Sequence, residues 1–126
     1  MTRVLVTGAN RGIGLALCSG FLKRGYEVIG TSRQASSELE ALGVRVETLD
    51  VSNPQSIQAL SNRLEDTPID VLVNNAGILS RDDLDSLDFD AIEQQFQVNA
   101  MGPLRVSQAL RANLRAGSKL VIITSR

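Results

Sequence analysis

Three glycines that follow the first apolar run place the strongest constraint on how this chain can fold. Residues 4–6 are Val-Leu-Val, typical of a buried β-strand, and an amphipathic stretch begins at about Ile13. Gly8 can make a tight turn, Gly12 lets the backbone approach a ligand, and Gly14 lets a helix pack close to the strand. Because a helix N-terminus presents free N–H groups and the positive end of its dipole, this segment predicts a phosphate-binding turn.

The rest of the chain repeats this alternation of short apolar runs and longer amphipathic stretches. Strands are predicted at residues 4–6, 27–31, 45–49, 71–73 and 119–124. Helices are predicted at about 13–23, at 38–42, from Pro54 with Asn53 or Ser52 as its cap, and at about 89–114. Strands that are joined through helices lie parallel, because right-handed crossovers return the chain in the same direction. We therefore expect an α/β fold, a doubly wound parallel sheet that forms one domain over residues 1–126.

Composition narrows the function classes. The chain has 126 residues, 43% of them hydrophobic and 21% charged, as in an ordinary globular domain. A net charge of -1 gives no electrostatic case for nucleic acid or an anionic membrane surface, and no apolar run approaches the roughly 18 residues of a membrane span. A single cysteine, Cys18, excludes an internal disulfide, and the lack of histidine removes the commonest general base and metal ligand. We expect a cytoplasmic protein without a signal peptide or a metal, whose chemistry uses other side chains or a bound cofactor.

Polar or small residues follow every predicted strand directly. In a doubly wound sheet, ligands bind beyond the carboxyl ends of the strands, where the strand order reverses. We therefore expect a ligand site built from residues 7–14, 31–33, 50–51, 74–77 and 124–125.

Five stretches of the chain, most of them within the expected ligand site, also resemble motifs of one family, the short-chain dehydrogenase/reductases. Thr7-Gly8-Ala9-Asn10-Arg11-Gly12-Ile13-Gly14 has the G-x-x-x-G-x-G spacing of the family's cofactor loop, and Asp50-Val51 resembles its adenine-contacting pair. Asn74-Asn75-Ala76-Gly77 matches its N-N-A-G motif, Asn99 lies mid-helix where the family keeps an asparagine, and residues 119–125 resemble the strand that ends at its catalytic serine. The matches occur in order along the whole chain.

The resemblance implies a Rossmann sheet of about five strands in the order 3-2-1-4-5, with helices on both faces. It also implies a set of cofactor-binding residues: Thr7, Gly8, Asn10, Arg11, Gly12, Ile13, Gly14, Asp50, Val51, Asn75, Ala76 and Gly77.

The end of the second strand bears on which nicotinamide cofactor is preferred. Members of the family that bind NAD usually have an acidic residue there, whereas this chain has Ser32 followed by Arg33. Arg11, directly before Gly12, is the other place where NADP-preferring members tend to carry a basic residue. A guanidinium can hold a phosphate by paired charged hydrogen bonds, so we expect NADP(H), with NAD(H) as the alternative if both arginines are ordinary surface charges.

The resemblance further implies hydride transfer between nicotinamide and a small-molecule carbonyl or alcohol. It assigns Ser125 to hold the substrate oxygen and Asn99 to hold a water in a proton relay, through a local break in the long helix near Gly102-Pro103. The family's proton donor is a tyrosine followed four residues later by a lysine, but here the single tyrosine, Tyr26, is followed at that place by Gly30.

Two explanations remain open for the lack of the family's tyrosine and lysine in this sequence. The chain is either a fragment of a longer active reductase, truncated after the fifth strand and incomplete at its C-terminal end, or a natural short form that binds cofactor without turnover. The run Leu120-Val121-Ile122-Ile123 favours the fragment, because a continuously apolar strand is expected to be covered on both faces.

Two finer expectations concern biological role and assembly. Residues 99–106 and 123–126 resemble the C-factor-like branch of the family, which allows a role in signalling or interaction instead of metabolism. The predicted helix 89–114 carries many apolar side chains, and the resemblance implies a homodimer or homotetramer through it. The alternative is that the whole apolar stripe packs on the chain's own sheet. These apolar residues are Phe89, Ile92, Phe96, Leu104, Leu110 and Leu114.

Overall fold

The computed structural model describes residues 1–125, with five strands and five α-helices. The strands are β1 (Arg3–Val6), β2 (Glu27–Ser32), β3 (Arg45–Thr48), β4 (Val71–Asn74) and β5 (Lys119–Ile122). The helices are α1 (Gly12–Lys23), α2 (Ser37–Ala41), α3 (Pro54–Arg63), α4 (Phe89–Phe96) and α5 (Gly102–Ala109). A π-helical turn, Gln97–Met101, joins α4 to α5, and a short 3-10 turn, Arg111–Asn113, follows α5.

The five strands form one parallel sheet in the order β3-β2-β1-β4-β5, which confirms the predicted order. The central strand, β1, places Leu5 beside Ile29 of β2 and Leu72 of β4. The three apolar side chains of β1 are fully buried, as expected of a strand that is covered on both faces.

Helices cover both faces of this sheet. On one face, Leu5 and Leu72 pack with Leu60 of α3 and Val106 of α5. On the other face, the valines of β1 and β4 pack with Cys18 of α1 and with Leu39, which α2 contributes. The sheet is therefore doubly wound, as the sequence predicts, and its carboxyl edge lies between the two layers.

The prediction of one helix over residues 89–114 is wrong. The segment forms α4, the π turn and α5, and α-helix ends at Ala109. Pro103 is part of the reason, because it stands in the first turn of α5 and has no N–H to continue the ladder from α4. The predicted local break around Asn99 is confirmed, since Asn99 lies inside the π turn.

The fifth strand is shorter and more exposed than its sequence suggests. It ends at Ile122, two residues before the predicted end, and it pairs with β4. Leu120 and Ile122 are 47% and 51% exposed, so the expected cover on both faces is not supplied by residues 1–125.

Within those residues no helix is long and apolar enough to cross a membrane. Arg126, which completes the C-factor-like stretch, lies outside the described residues.

Candidate functional site

A cleft of about 420 Å³ opens at the carboxyl edge of the sheet. Its lining contains every residue of the expected cofactor set except Thr7 and Gly14, and those two are buried. Ser32 and Arg33 also line it. Four further lining residues have no motif of their own and were missed by the sequence analysis: Gln34, Leu49, Ile78 and Val98. Ile78 and Val98 stand next to Gly77 and Asn99, so adjacency to the motifs was the signal available for them.

The N-terminus of α1 faces this cleft without a side-chain cap. The helices α2, α3 and α4 also begin from extended backbone, and their first N–H groups are accepted by Ser36, Asn53 and Asp88 respectively. At α1 the capping position is Arg11, whose side chain makes no such hydrogen bond. The first turn of α1 therefore keeps free N–H donors at the positive end of the helix dipole, which is the arrangement that binds phosphate.

The glycines keep the backbone around this helix start accessible. Gly12 has φ +55°, and a Cβ built on it would meet nothing within 4 Å, so the backbone is open toward the cleft. Gly8 has φ +62°, and a Cβ there would lie 2.7 Å from the Cα of Ala76. Gly8 therefore permits close packing of two loops, and Gly12 leaves room for a ligand.

Side-chain hydrogen bonds join the loop after β1 to the loop after β4. The Oγ1 of Thr7 accepts the backbone N–H groups of Asn75 and Ala76, at 3.0 Å each. The Nδ2 of Asn75 donates to the carbonyl oxygens of Thr7 and Gly8, at 3.2 and 3.1 Å. Gly14 packs so closely under this junction that a Cβ would overlap the Gly8 carbonyl. These contacts fix the shape of the loop that surrounds the free N–H groups.

Asp50 and Val51 form the wall of the cleft beyond β3. Oδ1 of Asp50 accepts the N–H and Oγ–H of Ser52 at 3.0 and 2.7 Å, so the carboxylate has a fixed orientation. Val51 packs under Gly102, where a Cβ would lie 3.0 Å from its Cγ2. Among the described residues, no hydrogen bond reaches the second carboxylate oxygen, which leaves an acceptor available at this wall.

The charges around the cleft favour an anionic ligand. Arg11 and Arg33 are exposed lining residues, and neither takes part in an ion pair with any residue in 1–125. Asp50 is the one acidic residue in the lining. Ser32 is buried and donates its Oγ–H to the carbonyl oxygen of Gln34 at 2.6 Å, which shapes the turn that carries Arg33.

Neither of the two residues expected to act on the substrate lines the cleft, although Asn99 is hydrogen-bonded to Ile78, which does. Oδ1 of Asn99 accepts the Ile78 N–H at 2.8 Å, and its Nδ2 donates to the Ile78 carbonyl at 2.7 Å. An asparagine amide can make about four hydrogen bonds, so one lone pair and one N–H remain for a water. Ser125 is exposed and does not line the cleft, although Ile123 donates to the Asn74 carbonyl and thereby leads the chain out beside β4.

Within residues 1–125, no group of His, Cys, Asp or Glu is placed to hold a metal ion.

The sheet order and the cleft at its carboxyl edge define a Rossmann-type α/β protein, and comparison with known sequences gives the family. A family profile described as short chain dehydrogenase matches residues 2–126. The chain is 37% identical over 129 residues to 1-hydroxy-2-glutathionyl-2-methyl-3-butene dehydrogenase of Rhodococcus sp. (strain AD45), with 100% of this chain and 57% of that protein covered. The chain belongs to the short-chain dehydrogenase/reductase family.

Solved structures agree with this assignment. A short-chain dehydrogenase/reductase-type protein of Burkholderia multivorans with bound NADP superposes with a TM-score of 0.92 at 33% identity, over 98% of this chain and 58% of its own. An alcohol dehydrogenase of Thermococcus sibiricus complexed with 5-hydroxy-NADP gives a TM-score of 0.85 at 30% identity, over 99% and 58%. The chain thus spans somewhat more than half the length of these three relatives.

Proposed function

We propose that this chain is the cofactor-binding part of an NADP-dependent oxidoreductase that transfers hydride between nicotinamide and a carbonyl or alcohol carbon. The observation that carries the proposal is the uncapped start of α1 beside the open backbone of Gly12, at the carboxyl edge of a doubly wound sheet. That arrangement fits the pyrophosphate of a dinucleotide, because several N–H groups and a helix dipole converge on one accessible point. The Burkholderia and Thermococcus structures, which hold NADP and 5-hydroxy-NADP, support the cofactor class.

The preference for NADP(H) over NAD(H) rests on Arg11 and Arg33. Both guanidinium groups are exposed at the cleft without an acidic partner in the described chain, and Ser32 takes the place where an acidic side chain would repel a 2′-phosphate. A charged hydrogen bond contributes about 1.5–3 kcal/mol, so partial use of the two arginines gives a preference of roughly ten- to a thousandfold.

The chemistry is divided between the cofactor and side chains at the β4–β5 end of the site. When bound, the nicotinamide would donate the hydride to a carbonyl carbon or accept it from an alcohol carbon. We assign Ser125 to hold the substrate oxygen by a hydrogen bond. We assign Asn99 to hold a water through the amide lone pair and the amide N–H that do not bond Ile78. The proton donor of the family, a tyrosine with a lysine four residues on, is not encoded in these 126 residues, so we place that step on residues outside this sequence.

Titration of the chain with NADPH and with NADH tests the cofactor proposal. We expect the tighter Kd for NADPH, and we expect Arg33→Ala and Arg11→Ala each to weaken NADPH binding by about tenfold or more with little change for NADH. Arg24→Ala is the matched control, because Arg24 is exposed at the opposite end of α1. Equal Kd values for NADPH and NADH would contradict the preference.

Turnover is tested in a protein that carries this chain together with a Tyr-x-x-x-Lys, using NADPH and a panel of ketones and quinones. Ser125→Ala is expected to lower kcat by about a hundredfold while leaving the Kd for NADPH unchanged, because its hydroxyl contacts the substrate oxygen. A Ser125→Ala variant with full activity would remove Ser125 from the site. NADPH binding without turnover of any compound in the panel is the result that favours the binding-only and C-factor-like alternatives, which stay predictions.

A further inference from the structure

Two amide side chains, four residues apart on α4 and the π turn, hold the segment that follows the Asn75-Ala76-Gly77 loop. Asn99 bonds both backbone groups of Ile78, as described above. Gln95 forms a second contact of the same kind, because its Oε1 accepts the Ser80 N–H at 3.2 Å and its Nε2 donates to the Ser80 Oγ at 2.7 Å. The Ser80 hydroxyl in turn donates to Oδ2 of Asp82 at 3.2 Å.

Segment 77–80 depends on these side chains for its conformation. Residues 75–80 have no regular secondary structure, and within the described chain no backbone–backbone hydrogen bond to residues 77–80 was found. The contacts are made at Ile78 and Ser80, which are alternate residues, while Leu79 between them is 77% exposed. Gln95 and Asn99 thus take the place of a neighbouring strand.

The position of the segment relates it to one end of the cleft. Gly77 and Ile78 line the cleft and leave the sheet from β4, beside the chain that runs from β5 to Ser125. Arg33 follows β2, on the other side of the central strand. Under the proposed function the phosphates and adenosine lie toward β2 and β3, so segment 77–80 borders the end where a substrate meets the nicotinamide.

We propose that Gln95 is a positioning residue for the substrate side of this site. It acts through Ser80, fixes the conformation of segment 77–80 and so sets where Leu79 presents its apolar side chain. The link to substrate rests on the proposed function, whereas the contact between Gln95 and Ser80 does not.

Hydrogen exchange on this chain tests the contact independently of activity. Gln95→Met removes both hydrogen bonds to Ser80, together with a longer one (3.4 Å) from Nε2 to the Ala91 carbonyl, and keeps the length and helix propensity of the side chain. Gln94→Met is the matched control, because Gln94 is the exposed neighbour on α4 and makes no side-chain hydrogen bond within residues 1–125. We expect the Ser80 amide to exchange roughly two- to tenfold faster in Gln95→Met than in Gln94→Met, for the loss of one neutral hydrogen bond. Equal exchange in the two variants overturns the proposal.

Kinetics in the protein that completes the site test the positioning role. With the ketone or quinone that the wild type reduces fastest, Gln95→Met is expected to raise KM by roughly two- to tenfold, with an unchanged Kd for NADPH. Ser80→Ala keeps the backbone N–H and loses the Oγ, so it should raise KM less, and the double variant should be no worse than Gln95→Met.

The outcomes separate this inference from the proposed function. If the wild type binds neither NADPH nor NADH, the proposed function fails, and the exchange result still decides whether Gln95 holds Ser80. If the wild type is active and Gln95→Met matches Gln94→Met in KM, the positioning role is wrong. A drop in NADPH affinity equal to the rise in KM would also overturn it, because the effect would then lie at the cofactor.

Discussion

At the residue scale, two buried threonine hydroxyls at the carboxyl ends of neighbouring strands differ in their hydrogen bonds. Oγ1 of Thr7 accepts two backbone N–H groups of the loop after β4. Oγ1 of Thr31, in β2, is fully buried and has no hydrogen-bond partner among the described residues. A buried polar group without a partner costs about 1–3 kcal/mol, so the same chemical change should have different effects at the two positions.

Thr7→Val and Thr31→Val form a matched pair that tests this difference. Thr7→Val leaves the N–H groups of Asn75 and Ala76 without their acceptor, and we expect a loss of about 2 kcal/mol or more in the free energy of unfolding. Thr31→Val removes an unsatisfied hydroxyl, and we expect no loss or a gain of up to about 1 kcal/mol. Urea unfolding of both variants measures the effect, and equal losses would contradict the assignment. Thr7→Ser, which keeps the hydroxyl, should recover most of the stability.

The chemistry of Cys18 is set by its burial in the core under β1. Burial raises the pKa of the Cys18 thiol to about 11, because the charged thiolate is poorly solvated there. At pH 8 the thiol is therefore almost entirely protonated, and we expect it to react slowly with a thiol-specific chromogenic reagent in the folded chain and quickly in denaturant. Fast labelling of the folded chain would show that α1 opens away from the sheet.

Most of the cleft could be predicted residue by residue, because its parts lie in short segments with local signals. The glycine spacing after β1 and the Asn75-Ala76-Gly77 loop after β4 are such segments. Val98 and Ile78 were not predicted. Their signal is that they stand beside Asn99 and Gly77, but what brings them to the cleft is the packing of the π turn against segment 77–80, which no local pattern encodes. The Ser80–Gln95 contact joins residues 15 positions apart and could not be predicted from the sequence for the same reason.

At the element scale, the strands were predicted within a residue or two, and the long helix was not. Apolar spacing at three and four residues fits α4 and α5 equally well whether or not they are continuous, so periodicity cannot reveal a change to i→i+5 hydrogen bonds between them. The residues that report the break are Asn99, which bonds the backbone of Ile78, and Pro103, which lacks an N–H. The proline was readable in the sequence, and the bond to Ile78 was not.

One carboxylate, that of Glu47 in β3, forms an ion pair with Arg63 of α3, and the stability that this pair adds should respond to pH. Burial alone would raise the pKa of Glu47, but hydrogen bonds and charge from Arg63 and Arg45, at 2.6 and 3.0 Å, outweigh it and lower the pKa below its ordinary value. A lowered folded-state pKa adds stability above the unfolded pKa of about 4.3, and that stability is lost as the pH falls through the folded value.

Glu47→Gln should therefore destabilise the chain at pH 7 by about 1 kcal/mol or less, since both arginines are partly exposed and solvent weakens the pairs. The difference from the wild type should be smaller at pH 3 than at pH 7, because the stabilising charge is lost as the pH falls through the lowered folded-state pKa of Glu47. Urea unfolding at pH 7 and pH 3 measures it. Glu93→Gln is the control, because Glu93 is exposed on α4 and makes no ion pair within residues 1–125.

At the scale of the whole molecule, one outer face remains apolar. Phe89, Ile92 and Phe96 follow helical spacing on α4 and are 72%, 39% and 56% exposed. Leu110, which the sequence analysis placed in the same surface, is instead fully buried against α3. The group of exposed apolar side chains in segment 89–114 is therefore smaller than expected. It consists of the three residues on α4 and of Leu104 on α5.

We propose that this α4 face forms the contact of a homodimer or homotetramer. Light scattering of the protein should give a multiple of the monomer mass, and Phe96→Lys should shift the mass toward the monomer by placing a charge in the apolar contact. Gln94→Lys adds the same charge beside that face and should leave the mass unchanged if the contact is centred on Phe89, Ile92 and Phe96. A monomeric wild type would rule the contact out.

The hydrogen bonds of Thr7 have a consequence for how such a chain is synthesised. They join residues 68 and 69 positions apart, so the loop that precedes α1 receives its final shape after β4 has emerged and docked beside β1. During translation, the first 70 residues can form helices and the β1–β2–β3 pairs, but the phosphate-binding turn lacks the amides that fix it. Nucleotide added to stalled ribosomes should therefore protect nascent chains from protease once β4 has cleared the exit tunnel, and not before.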